Sequence, residues 1–291
     1  MKYEAIHRCS SEHSVKKMCH VLELKQSGYY QWKKRLERQL KKREEERSLV
    51  IIVGKIFEEN RKVYGYRKMH RELNRRGIQI SEYRVRKIMR ENGYMPIVVK
   101  KYKPVHKGKS DGRYFEDQLK QNFEAEKTNQ VWVGDITYIK TKIGFVYLAV
   151  IIDLYNREVV GYSISKEINA ALVVQALGNA LVKTGAKGEG LIFHSDRGCQ
   201  YSSKRYQAML EAHNIIGSMS RAACPHDNAC SESFFSTAKR ECIYRKTYAG
   251  LEAVKRDLFE YIELFYNRRR IHAKLGYMSP MEYRLSKLQA A

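Results

Sequence analysis

Apolar residues recur at Leu49, Ile52, Val53, Ile56 and Phe57, a three-and-four spacing that predicts an amphipathic helix with one buried stripe. After a loop at residues 60–63, a second helix is expected over 66–76 and a turn at 77–80. A third helix should start from Ser81 as N-cap and run through Glu91. In that last helix Val85, Ile88 and Met89 share the inward face, while Arg84, Arg86, Lys87 and Arg90 face out. Three short helices in this order form a helix-turn-helix-like pattern, with the helix from Ser81 as the candidate for a DNA groove. Upstream, the charge run over residues 33–47 reads as a solvated helix or linker.

Beyond residue 130 the pattern changes from a helical to a strand period. Residues 131–139, 144–154 and 158–164 are strand candidates joined by short turns, an antiparallel meander. A helix over 169–183, a strand at 190–194, a helix starting near Ser202 and a short strand at 215–218 follow, before a helix that carries Glu232. A meander, a crossover helix and alternating strands and helices are what an RNase H-like α/β fold requires, a mixed sheet flanked by helices. The expected organisation is a basic helical segment (1–45), a helix-turn-helix-like domain (46–95), a basic linker that follows a duplex (96–125), a catalytic core (126–245) and a helical extension, basic and irregular after Asn267 (246–291).

Charge adds a partner to this picture. The chain has 55 Lys and Arg against 32 Asp and Glu, a formal charge of +23, which points to a nucleic-acid polyanion. Residues 1–110 hold 30 of the basic side chains and only 12 of the acidic ones, so the front of the chain is the expected electrostatic clamp. The six cysteines include no Cys-x-x-Cys pair, and no apolar signal segment precedes them, so a reduced cytoplasmic protein is expected. His7, Cys9, His13 and Cys19 lack the closing pair that a zinc domain would need. The longest apolar run, residues 145–152, is too short to span a bilayer, so no membrane partner is expected.

Three acids suggest chemistry. Asp135 sits inside a strand, where aspartate is depleted and costly if buried unpaired. Asp196 follows a strand, where it could also start a turn or cap the next helix, and Glu232 lies on a helix, where a surface role is the ordinary one. Phosphodiester cleavage needs an activated oxygen and charge stabilisation on the entering and leaving oxygens. Two Mg²⁺ ions roughly 3.5–4 Å apart can supply both, with Mn²⁺ as an alternative, and carboxylates from distant segments suffice to hold them. Asp153 reads instead as the start of a turn, paired with Arg157. Asp227 and Asn228 read as helix caps, and His194 and His272 as structural.

Several motifs carry a family likeness: Val131-Trp-Val-Gly-Asp-Ile-Thr-Tyr-Ile139, Ile152-Asp-Leu-Tyr-Asn-Arg-Glu-Val-Val-Gly161, His194-Ser-Asp-Arg-Gly-Cys-Gln-Tyr201, Asp227-Asn-Ala-Cys-Ser-Glu-Ser-Phe-Phe235 and Tyr266-Asn-Arg-Arg-Arg-Ile-His-Ala-Lys-Leu275, with Ser27-Gly-Tyr-Tyr-Gln-Trp32 and Tyr64-Gly-Tyr-Arg67 upstream. The chain resembles the downstream-frame (OrfB) polypeptide of IS-three-type bacterial insertion-sequence transposases. The 35 residues between Asp196 and Glu232 are similar to the spacing in DDE transposases and retroviral-type integrases. The resemblance implies Asp135, Asp196 and Glu232 as metal ligands, and Lys239, two helical turns after Glu232, as a contact to the element end. It implies cleavage at element ends and transfer of the freed 3′-hydroxyl to target DNA, by an oligomer assisted by an upstream-frame (OrfA) partner, at the bacterial nucleoid. A regulator with an inert core, or a Mg²⁺-dependent nuclease without strand transfer, is the alternative. Gly134 and Ala222-Ala-Cys224 depart from the usual pattern, where a Thr and a Gly-containing polar loop are common.

Overall fold

A five-stranded mixed sheet organises the core, and the alternation of its strands decides what lies on each face. The computed structural model describes residues 1–97, 114–119, 124–220 and 229–289. Strands β1 (Val131–Thr141), β2 (Gly144–Asp153) and β3 (Val159–Ser165) form the expected antiparallel meander; β4 (Ile192–Ser195) and β5 (Ile216–Met219) add in parallel, giving the order β3-β2-β1-β4-β5. Helix α6 (Ala170–Thr184), capped by the Asn169 side chain and closed by left-handed Gly185, crosses between β3 and β4. With α7 (Lys204–Ala212) it covers Trp132, Ala149, Ile151 and Phe193 on one face.

The alternate residues, among them Val131, Val133, Ile139, Val150 and Ile152, line the opposite face. They share one apolar core with α8 (Ala229–Glu241), α9 (Leu251–Phe259) and three amino-terminal helices. Those helices are α3 (Gln26–Glu59), α4 (Tyr66–Arg75) and α5 (Glu82–Glu91), the last started by a Ser81 side-chain cap as the sequence suggests. Ahead of them α1 (Lys2–Arg8) and α2 (Val15–Val21) pack Ile6 and Cys19 under Tyr29 of α3, a small satellite core.

Three expectations change. Of the two readings of the charge run the solvated helix holds, but it does not end before the amphipathic helix; α3 is one continuous helix of 34 residues. Its exposed middle is rich in Lys, Arg, Glu, Gln and Leu, whose high helix propensity carries the backbone between the two packed ends. Part of the basic linker also docks: Phe115 lies against Gly217 and the Gln118 N–H donates to Ser218 Oγ at 3.0 Å, covering the β5 edge. The rest of that linker's basic run falls outside the described residues.

The third change concerns the carboxy-terminal extension, which is ordered mortar where an irregular tail was expected. Asn267 exchanges two hydrogen bonds with the Val159 backbone (2.9 and 3.0 Å), and the buried Tyr64 hydroxyl donates to the Arg269 carbonyl and accepts from the Ile271 N–H. A final helix α10 (Pro280–Leu288) starts with a reciprocal Ser279–Glu282 capping box. Among the described residues no helix is long and apolar enough to cross a membrane.

Candidate active site

Strand register brings the first two acids together. Val131, Trp132 and Val133 of β1 pair in parallel with Ile192, Phe193 and His194 of β4. Two residues further on stand Asp135, within β1, and Asp196, just past the end of β4. Asp135 Oδ1 accepts the Ile136 N–H at 2.7 Å, and Asp196 Oδ1 accepts the Gly198 N–H at 3.0 Å, fixing each carboxylate from its own backbone. Helix α8 packs across β1 through Phe234, Phe235 and Ala238, with Glu232 exposed in its first turn and Lys239 in its last.

The electrostatics are those of neighbouring carboxylates. Burial, then the neighbouring charges of Asp196 and Glu232, push the Asp135 carboxyl up to about 8. The Ile136 N–H and the Lys239 ammonium pull the other way. Asp196 stands at the exposed rim and is also raised, chiefly by desolvation. Hard carboxylate oxygens on adjacent segments are the donor set that Mg²⁺ or Mn²⁺ takes. Among the described residues, however, no three acidic, His or Cys side chains converge closely enough to ligate one ion. The donor chemistry fits a divalent metal, with Glu232 within electrostatic reach of Asp135.

Lys239 is half-buried, its ammonium 5.2 Å from the Tyr138 ring centroid. Tyr138 and Tyr201, the latter buried behind Asp135, are neighbours of the site that sequence reasoning did not single out, although Tyr201 ends the His194–Tyr201 motif. Arg84, Lys87 and Arg90 lie on the solvent face of α5, with Lys87 3.9 Å from Glu91; the structure does not bring them to the acids. The Asp153 carboxylate accepts the Asn129 and Tyr155 N–H groups at 2.7 and 2.9 Å, while the Arg157 side chain turns to Cys230 Sγ. The expected Asp153–Arg157 side-chain pair is thus replaced by a bond from the Arg157 N–H to the Asp153 carbonyl. His194 is fully buried between the Ser218 and Ser220 hydroxyls, a clip from β4 to β5. Asp227, Asn228 and Ala222-Ala-Cys224 lie outside the described residues.

Gly134 has a physical reason. A Cβ there would sit 2.5 Å from Phe193 Cζ, in a ring boxed in by Tyr201 and Tyr206. Gly134→Ala is expected to destabilise the fold by about 1–3 kcal/mol through overpacking, and Phe193→Leu should recover part of that loss. Urea unfolding of the single and double variants reads the coupling; additive effects would contradict the Phe193 explanation.

A sheet of this order, with one acid on β1, one just past the end of the neighbouring β4 and one on the helix across β1, defines an integrase-type core, the class of polynucleotidyl transferases. Family models for "Integrase core domain" match residues 125–225 and 232–288, and one for "HTH-like domain" matches residues 43–102. Transposase InsF for insertion sequence IS3A of Escherichia coli (strain K12) is 38% identical over 283 residues, covering 97% of this chain and 98% of that protein. The insertion element IS600 31 kDa protein of Shigella sonnei is 34% identical over 92% of the chain and 97% of its own length. Among solved structures, the HTLV-2 integrase catalytic core domain in complex with magnesium aligns with a TM-score of 0.43 at 17% identity, over 55% of this chain and 99% of that one. The chain belongs to the IS3-family transposases, enzymes of DNA transposition.

Proposed function

We propose that Asp135, Asp196 and Glu232 are the catalytic carboxylates of this transposase, and that they hold two divalent ions, Mg²⁺ or in its place Mn²⁺. The observation that carries this reading is the Asp135 carboxyl, half-buried beside Asp196 and within the field of Glu232. Bound there, the ions would supply an activated oxygen nucleophile and charge stabilisation at the phosphate. The chain's own part is to hold three carboxylates on a sheet and a packed helix, and to place Lys239 beside them as a contact to the element end.

The same reading assigns Arg84, Lys87 and Arg90 to the DNA groove and the boundaries 1–45, 46–95, 96–125, 126–245 and 246–291 to the functional parts. Substrates are the element's terminal repeats and a target duplex, in the bacterial cytoplasm at the nucleoid. Joining two ends calls for a homo-oligomer, and an upstream-frame partner completes terminal-repeat recognition.

Metal and pH should act on Asp135 together. Its folded pKa of about 8 lies above the ordinary 3.8, so the metal-free protein is stabilised below pH 4 relative to higher pH and loses that stability as pH rises through 8. Mg²⁺ should restore stability most at pH 8 and least at pH 5, because it competes with the Asp135 proton. Thermal melts in chelator and in Mg²⁺ across this range test the assignment. An Asp135→Asn chain that keeps the full metal response would overturn it.

A further inference from the structure

On another face of α8, away from Glu232 and Lys239, a cavity of about 400 Å³ is walled by three separate parts of the chain. Lys68 comes from α4, Arg157 from the turn between β2 and β3, and His272 and Lys274 from the carboxy-terminal extension. Ser233 and Thr237 of α8 add hydroxyls. We propose that this cavity binds a phosphate of the DNA backbone, clasping the helix-turn-helix-like domain, the core and the extension onto one strand. The proposal rests on the chain acting on DNA, not on the assignment of the three acids.

The charge balance points to an anion. Arg270, also in the wall, is already neutralised by Glu241, which accepts two hydrogen bonds from it at 2.8 Å. Lys68, Arg157 and Lys274 have no carboxylate within ion-pair distance among the described residues, although surface cations elsewhere on the chain are often paired. Burial and the Arg270 charge lower the Lys68 pKa to about 8, against the upward pull of Glu241. His272 is held neutral by burial and the same cations, and its Nε2 accepts from Arg270 at 3.3 Å, so the imidazole adds no further charge.

Backbone strain supports the same conclusion. Arg157 has φ +61°, a left-handed conformation that favours Gly or Asn, yet a long cation occupies the position. Its guanidinium donates to Cys230 Sγ at 2.6 Å at the cavity wall. Convergent cations with hydroxyl donors suit a phosphodiester oxygen pair.

Cys230 lines the cavity and reports occupancy. In chelator, so that the acidic site is silent, full-length protein is treated with iodoacetamide, and alkylation of Cys230 is followed by peptide mass mapping. Each protein is read as the ratio of its own rates with and without duplex DNA carrying the element end, or with inorganic phosphate at equal phosphate concentration. DNA should slow Cys230 alkylation at least about fivefold in wild type and under twofold in Arg157→Gln and in Lys274→Gln. Either variant should also lower the slope of log affinity against log salt by about 0.9, one phosphate's share. Lys274 is exposed and makes no side-chain hydrogen bond or ion pair among the described residues, so its variant keeps the test valid if Arg157→Gln folds poorly. Equal protection by DNA in wild type and both variants, or protection by inorganic phosphate but not by DNA, would overturn the proposal. Loss of strand joining in the acid variants has no bearing on this readout.

Discussion

Asp135→Asn is expected to remove both element-end cleavage and strand joining, with a loss larger than the roughly 10–100-fold that follows from disturbing an outer partner of a metal site. The substitution keeps the shape of the side chain and its bond to the Ile136 N–H, and removes the charge that a divalent ion would meet. It also removes the repulsion from Asp196 and Glu232, so the metal-free variant should be more stable than wild type at pH 8. DNA affinity, which the proposed reading assigns to the basic front of the chain, should change little. Gel-shift titration beside a product assay separates the two effects; a fall in binding that accounts for the whole loss of product would count against a catalytic Asp135.

The largest effect on stability should come from Glu241→Gln. Glu241 is 12% exposed and Arg270 11%; they form a two-point ion pair to which the Tyr261 hydroxyl adds a third bond at 2.9 Å. Removing one charge leaves Arg270 buried beside Lys68 without its counter-ion, a change that costs about 3–5 kcal/mol. Replacing both residues, Glu241→Gln with Arg270→Met, should cost less than Glu241→Gln alone, because no unpaired charge remains. Urea midpoints measure both. A single variant within about 1 kcal/mol of wild type would show the pair to be solvated and the α8 anchor to lie elsewhere. Because α8 carries Glu232, the destabilised variant should also lose joining activity before it loses its secondary structure.

The parts of the fold that were legible in the sequence are those decided locally. Val85, Ile88 and Met89 mark the buried face of α5 by their spacing, and the apolar alternation of β1 and the continuous run of β2 mark the meander. Asp135 stood out because a carboxylate interrupts a strand. Asp196 and Glu232 did not stand out alone; their spacing and neighbouring motifs linked them to Asp135.

What could not be read depends on contacts between distant residues. Gly134 is explained by Phe193, and the ordered extension by Asn267 reaching the Val159 backbone across 108 residues. The basic cavity requires Lys68, Arg157 and Lys274 to meet, which no local pattern encodes. The continuity of α3 was obscured for another reason: a helix polar on every side looks like a linker, since periodicity marks only helices that bury a face.

The most direct test of the central claim, that the three carboxylates form the metal site of strand transfer, is a joining assay with pre-cleaved element-end DNA and a plasmid target. It compares wild type, Glu232→Gln and the control Lys34→Arg, in Mg²⁺ and in chelator, with the upstream-frame partner added. Joined product in Mg²⁺ from wild type and the control, none from Glu232→Gln and none in chelator, is the expected result. Joined product from Glu232→Gln at the wild-type rate would contradict the account.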